Sequence, residues 1–388
     1  MAEDRRGLLS HLYATIFLTS TAYGTVTFMI PIYAEELGAS YFAFGVIGAV
    51  GSTVYTIMTL VSGFLLDRFE RVRFYLMFTA LGVVVVFLFC LATSVSQIIL
   101  FRGLLGVVAA SFWVTASTLT ADISPPESLT QSVGRYNLSW IAGFFVGPFL
   151  GGFISDVYGF PSLFAMLSVL VIVSVAIILM RLSNLRLQNQ TQRQGFNIKA
   201  MRGLTTAYLT LFPFTVVLGI YMAILPGHMR GLGIVGSSIG LLLTMTNGVR
   251  GLGFINAERF VKWGTRRSLG LAACLLCGAF YIVASSKTAL DFVAPLAIYG
   301  LAAGITTPVI LDYIAHRAPR EALGTAMGVH EGVYGVGMSI GPIAGGAIAE
   351  AFQPAALYIT LSILSLTIIP LSFGMRKEPL ERGGLKLK

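Results

Sequence analysis

Apolar residues fill long runs along this chain, and polar residues collect in short segments between the runs. Each run holds about twenty residues or more, enough for an α-helix to cross a hydrocarbon core of about 30 Å. The first run ends in acids without a small-residue cleavage site, so we interpret it as a helix and not as a signal peptide. The pattern predicts twelve spanning helices with the approximate bounds 8–33, 40–66, 73–93, 97–119, 132–156, 160–181, 204–226, 235–258, 268–286, 290–314, 322–349 and 354–375.

The second half of the chain repeats features of the first at a separation of 194 residues. Because six helices separate equivalent positions, the two halves should enter the membrane in the same direction, with a cavity between them. The repeat is clearest between predicted helices 5 and 11, where Gly143, Gly147, Pro148, Gly151 and Gly152 recur as Gly337, Gly341, Pro342, Gly345 and Gly346.

The predicted fold is an all-α membrane protein with two six-helix bundles related by a pseudo-two-fold axis along the membrane normal. The N-terminal bundle is expected over residues 1–181 and the C-terminal bundle over residues 204–388. Residues 182–203 are polar, carry four basic residues and no acids, and form the predicted cytoplasmic linker. The linker is either simply solvated or lies near anionic lipid headgroups.

Composition agrees with this pattern: 56% of the residues are hydrophobic, 11% are charged, and the mean hydropathy is +0.82. A water-soluble fold could not bury so much apolar surface. Of the 26 basic residues, all but Arg102, Arg230, Arg250 and Lys287 fall in predicted inner segments if both termini are cytoplasmic. The net charge of +9 therefore reflects topology in a plasma or inner membrane and predicts no nucleic-acid partner.

A basic turn follows predicted helix 2 and holds Gly63, Asp67, Arg68, Arg71 and Arg73. Positive charge alone is explained by a cytoplasmic loop, but the acid at the helix end is not. A carboxylate there can accept hydrogen bonds from the N-terminus of a neighbouring helix, and the arginines can pair with other carboxylates. We expect such contacts to stabilise one conformation and to break in another.

This turn resembles the pattern G-x-x-x-D-R-x-G-R-(K/R)-(K/R) of the major facilitator superfamily. Glu70 stands where the family has glycine, and Val72 replaces a basic residue. The equivalent stretch of the second half, 257–267, has Val261 in place of the acid, so the resemblance assigns conformational gating to the first half.

Arg102 in predicted helix 4 matches the family pattern R-x-x-x-G-x-x-x-A. A guanidinium stays charged inside a membrane, so Arg102 should face a cavity or a partner, or else snorkel to the outer surface. The repeat has Leu296 in its place.

The glycines and prolines of helix 5 resemble the motif G-x-x-x-G-P-x-x-G-G, which the superfamily uses most often in twelve-helix drug:proton antiporters. Small residues four apart permit close helix approach, and an interior proline bends the helix. The motif therefore favours a rocking interface or, alternatively, a passive packing seam.

Three ionisable residues of the second half are expected at similar depth in the membrane: Arg250, His330 and Glu331. A buried acid should pair with Arg250 or titrate near neutrality, with the histidine sharing its proton, as proton coupling requires. The alternative is a static buried pair. Asp122, Asp156, Asp312 and His316 are interpreted as solvated helix ends.

In the family, helices 1, 4, 7 and 10 line the central cavity. The resemblance implies a lining of aromatic and hydroxylated residues suited to a largely apolar or weakly polar solute. These residues are Tyr23, Thr27, Trp113, Phe214, Tyr221, Tyr299 and Thr306.

The leading functional hypothesis is a secondary active transporter that works by alternating access, with proton-coupled export of small amphipathic compounds. The alternatives are proton-coupled uptake or facilitated diffusion of a metabolite, or a sensor that does not transport its solute. No phosphate-binding loop pattern occurs, and the four histidines are dispersed, so neither ATP hydrolysis nor an intramembrane enzyme is favoured. We expect no cofactor or metal, and a monomer that meets a solute, protons and the lipid bilayer.

Overall fold

A computed structural model describes residues 2–66, 68–183, 185, 203–319 and 322–375. All regular structure in these residues is helical, as predicted from the apolar runs. The α-helices are α1 Ala2–Glu36, α2 Tyr41–Leu66, α3 Arg71–Leu88, α4 Val95–Ile123, α5 Leu129–Ile177, α6 Thr205–Ala223, α7 Leu225–Gly231, α8 Gly236–Ile255, α9 Ala257–Trp263, α10 Thr265–Val283, α11 Val293–Arg317, α12 Leu323–Phe352, α13 Pro354–Leu366 and α14 Ile368–Phe373.

Ten helical segments of the described chain are long and apolar enough to cross a membrane. One of them, Leu129–Leu182, has 54 residues and holds predicted helices 5 and 6 together. Gly159 divides it, because its φ of 78° and ψ of 165° are not helical. A further predicted span corresponds to α8, which has 20 residues. The chain is thus a multi-pass membrane protein whose helices follow the predicted runs with shifts of a few residues at their ends.

The turn at Gly159 occurs a second time at Gln353, 194 residues later, between α12 and α13. Gln353 has φ 82° and ψ 155°, close to the values at Gly159. A positive φ is uncommon for a residue with a side chain, and here it lets the chain turn back sharply between two long helices. The repeat therefore extends to backbone conformation.

Helix α5 packs along α1 of its own half and along α8 of the other half. A Cβ at Gly143, Gly147 or Gly151 would come within 3.0 Å of atoms of α1. The neighbouring Gly152 faces α8 instead, where its Cβ would collide with the backbone of Gly236. Close approach on both sides of α5 is possible because these residues have no side chain.

Helix α12 makes the equivalent contacts with α6 and α2. A Cβ at Gly337, Gly341 or Gly345 would collide with atoms of α6, and one at Gly346 with the carbonyl of Tyr41 in α2. Helices α5 and α12 thus each pack on the first helix of their own half and cross to the second helix of the other half.

Polar contacts between the halves close one face of the molecule, which we call the closed face. Arg230 of α7 donates to Glu36 of α1 at 2.5 Å, and Tyr41 of α2 lies 2.7 Å from Nδ1 of His228. The opposite face carries the starts of α5 and α12, where Leu129 is exposed.

Hydrogen bonds from α5 to the other half come from the part of the helix nearer the closed face. The carbonyls of Phe144 and Phe145 accept from Asn247 and Thr244 of α8. Near the start of α5, Ser132 accepts instead from Tyr13 of its own half.

The packing of α5 on α1 gives a testable prediction. In Gly147→Ala the new Cβ would lie 2.6 Å from Oγ1 of Thr25 and 3.0 Å from the carbonyl of Thr21, so the helices must separate. We expect a stability loss of about 1–3 kcal/mol, typical of overpacking, seen as a lower thermal unfolding midpoint in detergent. Gly134→Ala in the same helix is the control, because its Cβ would meet nothing within 4 Å. Equal midpoints for both variants would contradict this packing.

Candidate functional site

A small cavity between the two halves is lined by Arg102 of α4. Its guanidinium lies against Gly51 of α2, where a Cβ would be 2.6 Å from Nε of Arg102. The side chain therefore points toward the molecular centre and does not snorkel to a surface. The cavity also has contributions from α1, α2, α6 and α12, by residues Thr27, Ile30, Pro31, Ile47, Gly48, Ser52, Gly219, Met222, Ala223 and Met338.

The lining of this cavity is almost entirely apolar apart from the guanidinium and two hydroxyl groups, those of Thr27 and Ser52. No carboxylate of the described residues lies within 4 Å of a nitrogen of Arg102. A buried cation surrounded by apolar groups favours ligands that are themselves amphipathic.

A second charged group, Arg250 of α8, lies among tyrosines of the second half. It is close to the hydroxyls of Tyr221, Tyr299 and Tyr334, and its guanidinium also lies 5.3 Å from the ring of Phe254. The rings of Tyr221 and Tyr299 pack with centroids 4.3 Å apart. The hydroxyls of Tyr221 and Tyr299 and Nε of Arg250 have no hydrogen-bond partner, and Arg250 has no carboxylate partner in the described part of the chain.

His330 and Glu331 lie together on α12, with Nδ1 of the histidine 3.1 Å from Oε1 of the acid. His330 is buried, whereas the Glu331 side chain is 67% exposed. The expected buried pair between Arg250 and Glu331 does not form in this structure. Successive helical residues point about 100° apart, so the histidine takes the packed face of α12 and the acid faces open space.

The other predicted cavity residues take different positions. Phe214 is fully buried in α6, and the buried Thr306 donates to the carbonyl of Ala302 in its own helix, so neither faces the cavity here. Tyr23 packs edge-on against Phe112 within the first half. Its position cannot be read from the hydrophobic pattern, because nearly all faces of α1 are apolar or hydroxylated.

Trp113 packs against Trp140 and Phe144 of α5. Of the seven predicted lining residues, Thr27 lies at the cavity, and Tyr221 and Tyr299 lie beside Arg250.

The basic turn after α2 is only partly described, because Asp67 lies outside the described residues. No atom of the described residues lies within 4 Å of where a Cβ of Gly63 would be, so no helix packs closely against Gly63 in this conformation. Arg68 lies over the ring of Phe64 at 4.3 Å. Glu70, where the family has glycine, caps α3 by accepting from the backbone N–H groups of Val72 and Arg73.

Arg71 of this turn is buried and forms an ion pair with Asp122 of α4. The interpretation of Asp122 as a solvated helix end was therefore wrong. Arg73 differs, since its side chain is 86% exposed and lies 3.6 Å from Glu70. The sequence could not distinguish the two arginines, because the partner carboxylate lies 51 residues away.

Asp156 was likewise misinterpreted as a solvated helix end. Its carboxylate accepts from the backbone N–H groups of Gly236 and Ser237, the first two residues of α8 in the other half. The 194-residue shift was the available signal, since it relates Asp156 to a second acid, Glu350.

Comparison with known proteins places this arrangement in a family. The model of the Major Facilitator Superfamily matches residues 12–329 and again residues 207–387. An uncharacterized MFS-type transporter of Methanocaldococcus jannaschii is 22% identical over 372 residues, covering 93% of this chain and 96% of the relative. The multidrug resistance protein MdtG of Citrobacter koseri is 25% identical over 362 residues, covering 88% of each chain.

Among solved structures, the nucleoside transporter NupG superposes with a TM-score of 0.78 at 13% identity, covering 96% of this chain and all of NupG. At that identity the likeness shows the fold alone.

The Arg71–Asp122 ion pair gives a second prediction. Arg71→Gln leaves a partly buried carboxylate without its cation, so we expect a loss of about 1–3 kcal/mol and a lower unfolding midpoint in detergent. The matched control is Arg73→Gln in the same turn, whose exposed side chain should contribute less than about 0.5 kcal/mol. If the two residues act as a pair, the double variant with Arg71→Gln and Asp122→Asn should lose little more stability than Arg71→Gln alone. Full additivity of the two losses would contradict the pair.

Proposed function

This chain belongs to the major facilitator superfamily, and from that premise we propose that it exports small amphipathic compounds in exchange for protons by alternating access. Members of the superfamily are transporters rather than enzymes, so the reaction is movement of a solute. The observation that carries the proposal is the central cavity, which lies between the halves, holds the charged Arg102, and is covered by the closed face.

The proposal includes two six-helix bundles, residues 1–181 and 204–388, joined by the linker 182–203 and related by a pseudo-two-fold axis. Matched contacts support this arrangement. Gly106 approaches α2 at Gly51, and Gly300, its equivalent in the repeat, approaches α8 at Thr246. A linker of 22 residues is long enough to let the bundles move as separate bodies.

Orientation follows from charge: we propose that both termini are cytoplasmic, because this places 22 of the 26 basic residues on the inner side or at its helix ends. The closed face, which carries Arg230, is then extracellular. The conformation described here would be one in which the cavity communicates with the cytoplasm, the side from which an exporter takes its solute.

The chemistry of the cavity supports an amphipathic solute. Its walls supply apolar contacts from residues such as Ile30, Ile47 and Met222, and its polar groups are few. Both cations near the centre, Arg102 and Arg250, have no carboxylate partner within 4 Å among the described residues, so a solute with an acidic or hydrogen-bond-accepting group is favoured over a polycation. The similarity to a multidrug resistance protein agrees with an apolar, permissive site.

Proton coupling is assigned to Glu331 with its neighbour His330. The acid is exposed on the open side of α12, so it can exchange protons with the cytoplasm in this conformation, and its contact with the histidine offers a second proton site. Tyr55 of the first half lies close to Glu331 and connects the acid to the opposite bundle.

Transport in proteoliposomes tests the proposed function. With a pH gradient across the membrane, an antiporter should accumulate solutes in the more acidic compartment, against their own gradient. In a panel of non-titrating amphipathic dyes, nucleosides and sugars, we expect the dyes to accumulate in the acidic compartment. Protein-free vesicles are the control. Accumulation in the alkaline compartment would instead indicate symport, and gradient-independent flux facilitated diffusion. Absence of any flux would favour a sensor.

A variant then tests the coupling residue. Glu331→Gln removes the titrating group and keeps the side-chain size, so we expect pH-driven accumulation to fall to the level of protein-free vesicles while solute counterflow continues. Glu258→Gln is the control, because this exposed acid pairs with Lys262 within α9. Unchanged pH-driven accumulation in Glu331→Gln would remove Glu331 from the coupling mechanism.

A further inference from the structure

The ion pair of the closed face joins two equivalent positions of the repeat. Glu36 and Arg230 are 194 residues apart, the same shift that relates the glycines of α5 and α12. Two positions related by a two-fold operation can touch only beside the axis. Duplication alone would place identical residues at these two positions. The first half instead has an acid and the second half a base, so the two halves attract each other at this point.

At the same face of the molecule, Asp156 of α5 accepts hydrogen bonds from the start of α8. Its Oδ1 lies 2.9 Å from the backbone nitrogen of Gly236, and its Oδ2 lies 2.7 Å from that of Ser237. The N-cap residue of α8, Val235, has no side-chain oxygen to offer, so the cap comes from the other half of the protein. A carboxylate at a helix N-terminus also interacts favourably with the helix dipole.

The same contact occurs a second time in the opposite direction. Oε2 of Glu350 in α12 accepts from the backbone N–H of Phe42, in the first turn of α2, at 3.3 Å. The 194-residue shift relates Glu350 to Asp156 and relates Gly236 to Phe42. Each half therefore sends one acid to the start of the second helix of the other half.

The two contacts differ in strength. Asp156 makes two short hydrogen bonds to consecutive amides, whereas Glu350 makes one long bond in an exposed position. Gly236 is required for the stronger contact, since a Cβ there would be 2.8 Å from Oδ1 of Asp156.

We propose that Asp156 and Glu350, with the Glu36–Arg230 pair between them, are positioning residues that hold the extracellular face shut and are released in every transport cycle. Both helix starts lie at the surface, so water can replace the carboxylates when the face opens. The contacts are therefore strong enough to favour closure and weak enough to be reversible. This proposal rests on alternating access in the proposed function, but it does not depend on the solute or on proton coupling.

Accessibility of the central cavity tests the proposal. Ser52 lines the cavity, so Ser52→Cys, with the native Cys90, Cys274 and Cys277 replaced by serine, reports opening of either face. The measurement is the rate of reaction with a membrane-impermeant thiol reagent, in intact cells and in inverted membrane vesicles.

We expect Asp156→Asn to raise the rate from the extracellular side about tenfold, because it removes charge from two hydrogen bonds. Glu350→Gln should raise it about two- to threefold, and the double variant more than either. Asp291→Asn is the matched control. This acid lies near the same face and also accepts from two backbone N–H groups, those of Lys287 and Thr288, but within its own half. A rate in Asp156→Asn that is unchanged both in intact cells and in inverted vesicles would overturn the proposal, as would an equal increase in Asp291→Asn.

The axial pair provides a test that does not rely on loss of structure. Glu36→Arg and Arg230→Glu should each raise the extracellular rate, because each places like charges in contact, whereas the double exchange should restore the parental rate. Failure of the double exchange to restore it, with both single variants monodisperse in detergent, would contradict the role of the pair.

These outcomes are separable from the proposed function. An increase seen only in inverted vesicles would reject the assigned orientation but keep the role of Asp156 and Glu350 in closing this face. A protein that shows the expected rates but no proton-driven flux would keep that role and reject antiport.

Discussion

Two helices approach at backbone distance only where at least one of them has no side chain at the contact, and two helix crossings of this kind, α5 with α8 and α12 with α2, join the two halves of this protein. Gly152 meets Gly236, Gly240 meets Pro148, Gly346 meets Tyr41 and Gly45 meets Pro342. Helices in a bilayer gain little from hydrophobic burial against one another, because lipid is as apolar as leucine, so close packing and polar contacts must hold them together. The position of the cavity, the closed face and the contacts that cover it all follow from these crossings.

The halves share their packing and differ in their charges. Gly143 and Gly337, or Gly159 and Gln353, occupy equivalent structural positions, whether or not the residue type is kept. By contrast, Arg102 has an apolar counterpart, Leu296, which is buried. At the axis the difference produces the pair Glu36–Arg230. Packing has to be matched in both halves for the interface to close, whereas a function in the cavity needs a charge in only one of them.

The helices were predictable from the sequence because the bilayer demands that every backbone polar group be satisfied within a helix, which leaves a long apolar run as a reliable signal. The repeat was predictable because both halves need glycine where two helices touch, so the same residue type stands at equivalent positions. Side-chain direction was not predictable where a helix is apolar on all faces, so Phe214 and Thr306 were placed in the cavity although they are packed. The role of Asp122 could not be found, since its partner lies 51 residues away along the chain, whereas for Asp156 the repeat offered a signal through Glu350.

The central claim is that the halves rock about these crossings, so that one face opens as the other closes. Distances between spin labels at both ends of the same two helices test it most directly. Leu129 and Leu323 are exposed equivalents at the starts of α5 and α12, and Tyr158 and Phe352 are exposed equivalents beyond the crossings at the closed face. The account predicts that, as solute or pH shifts the population, the 158–352 distance lengthens while the 129–323 distance shortens. Distances that change together, or not at all under conditions that support flux, would contradict it.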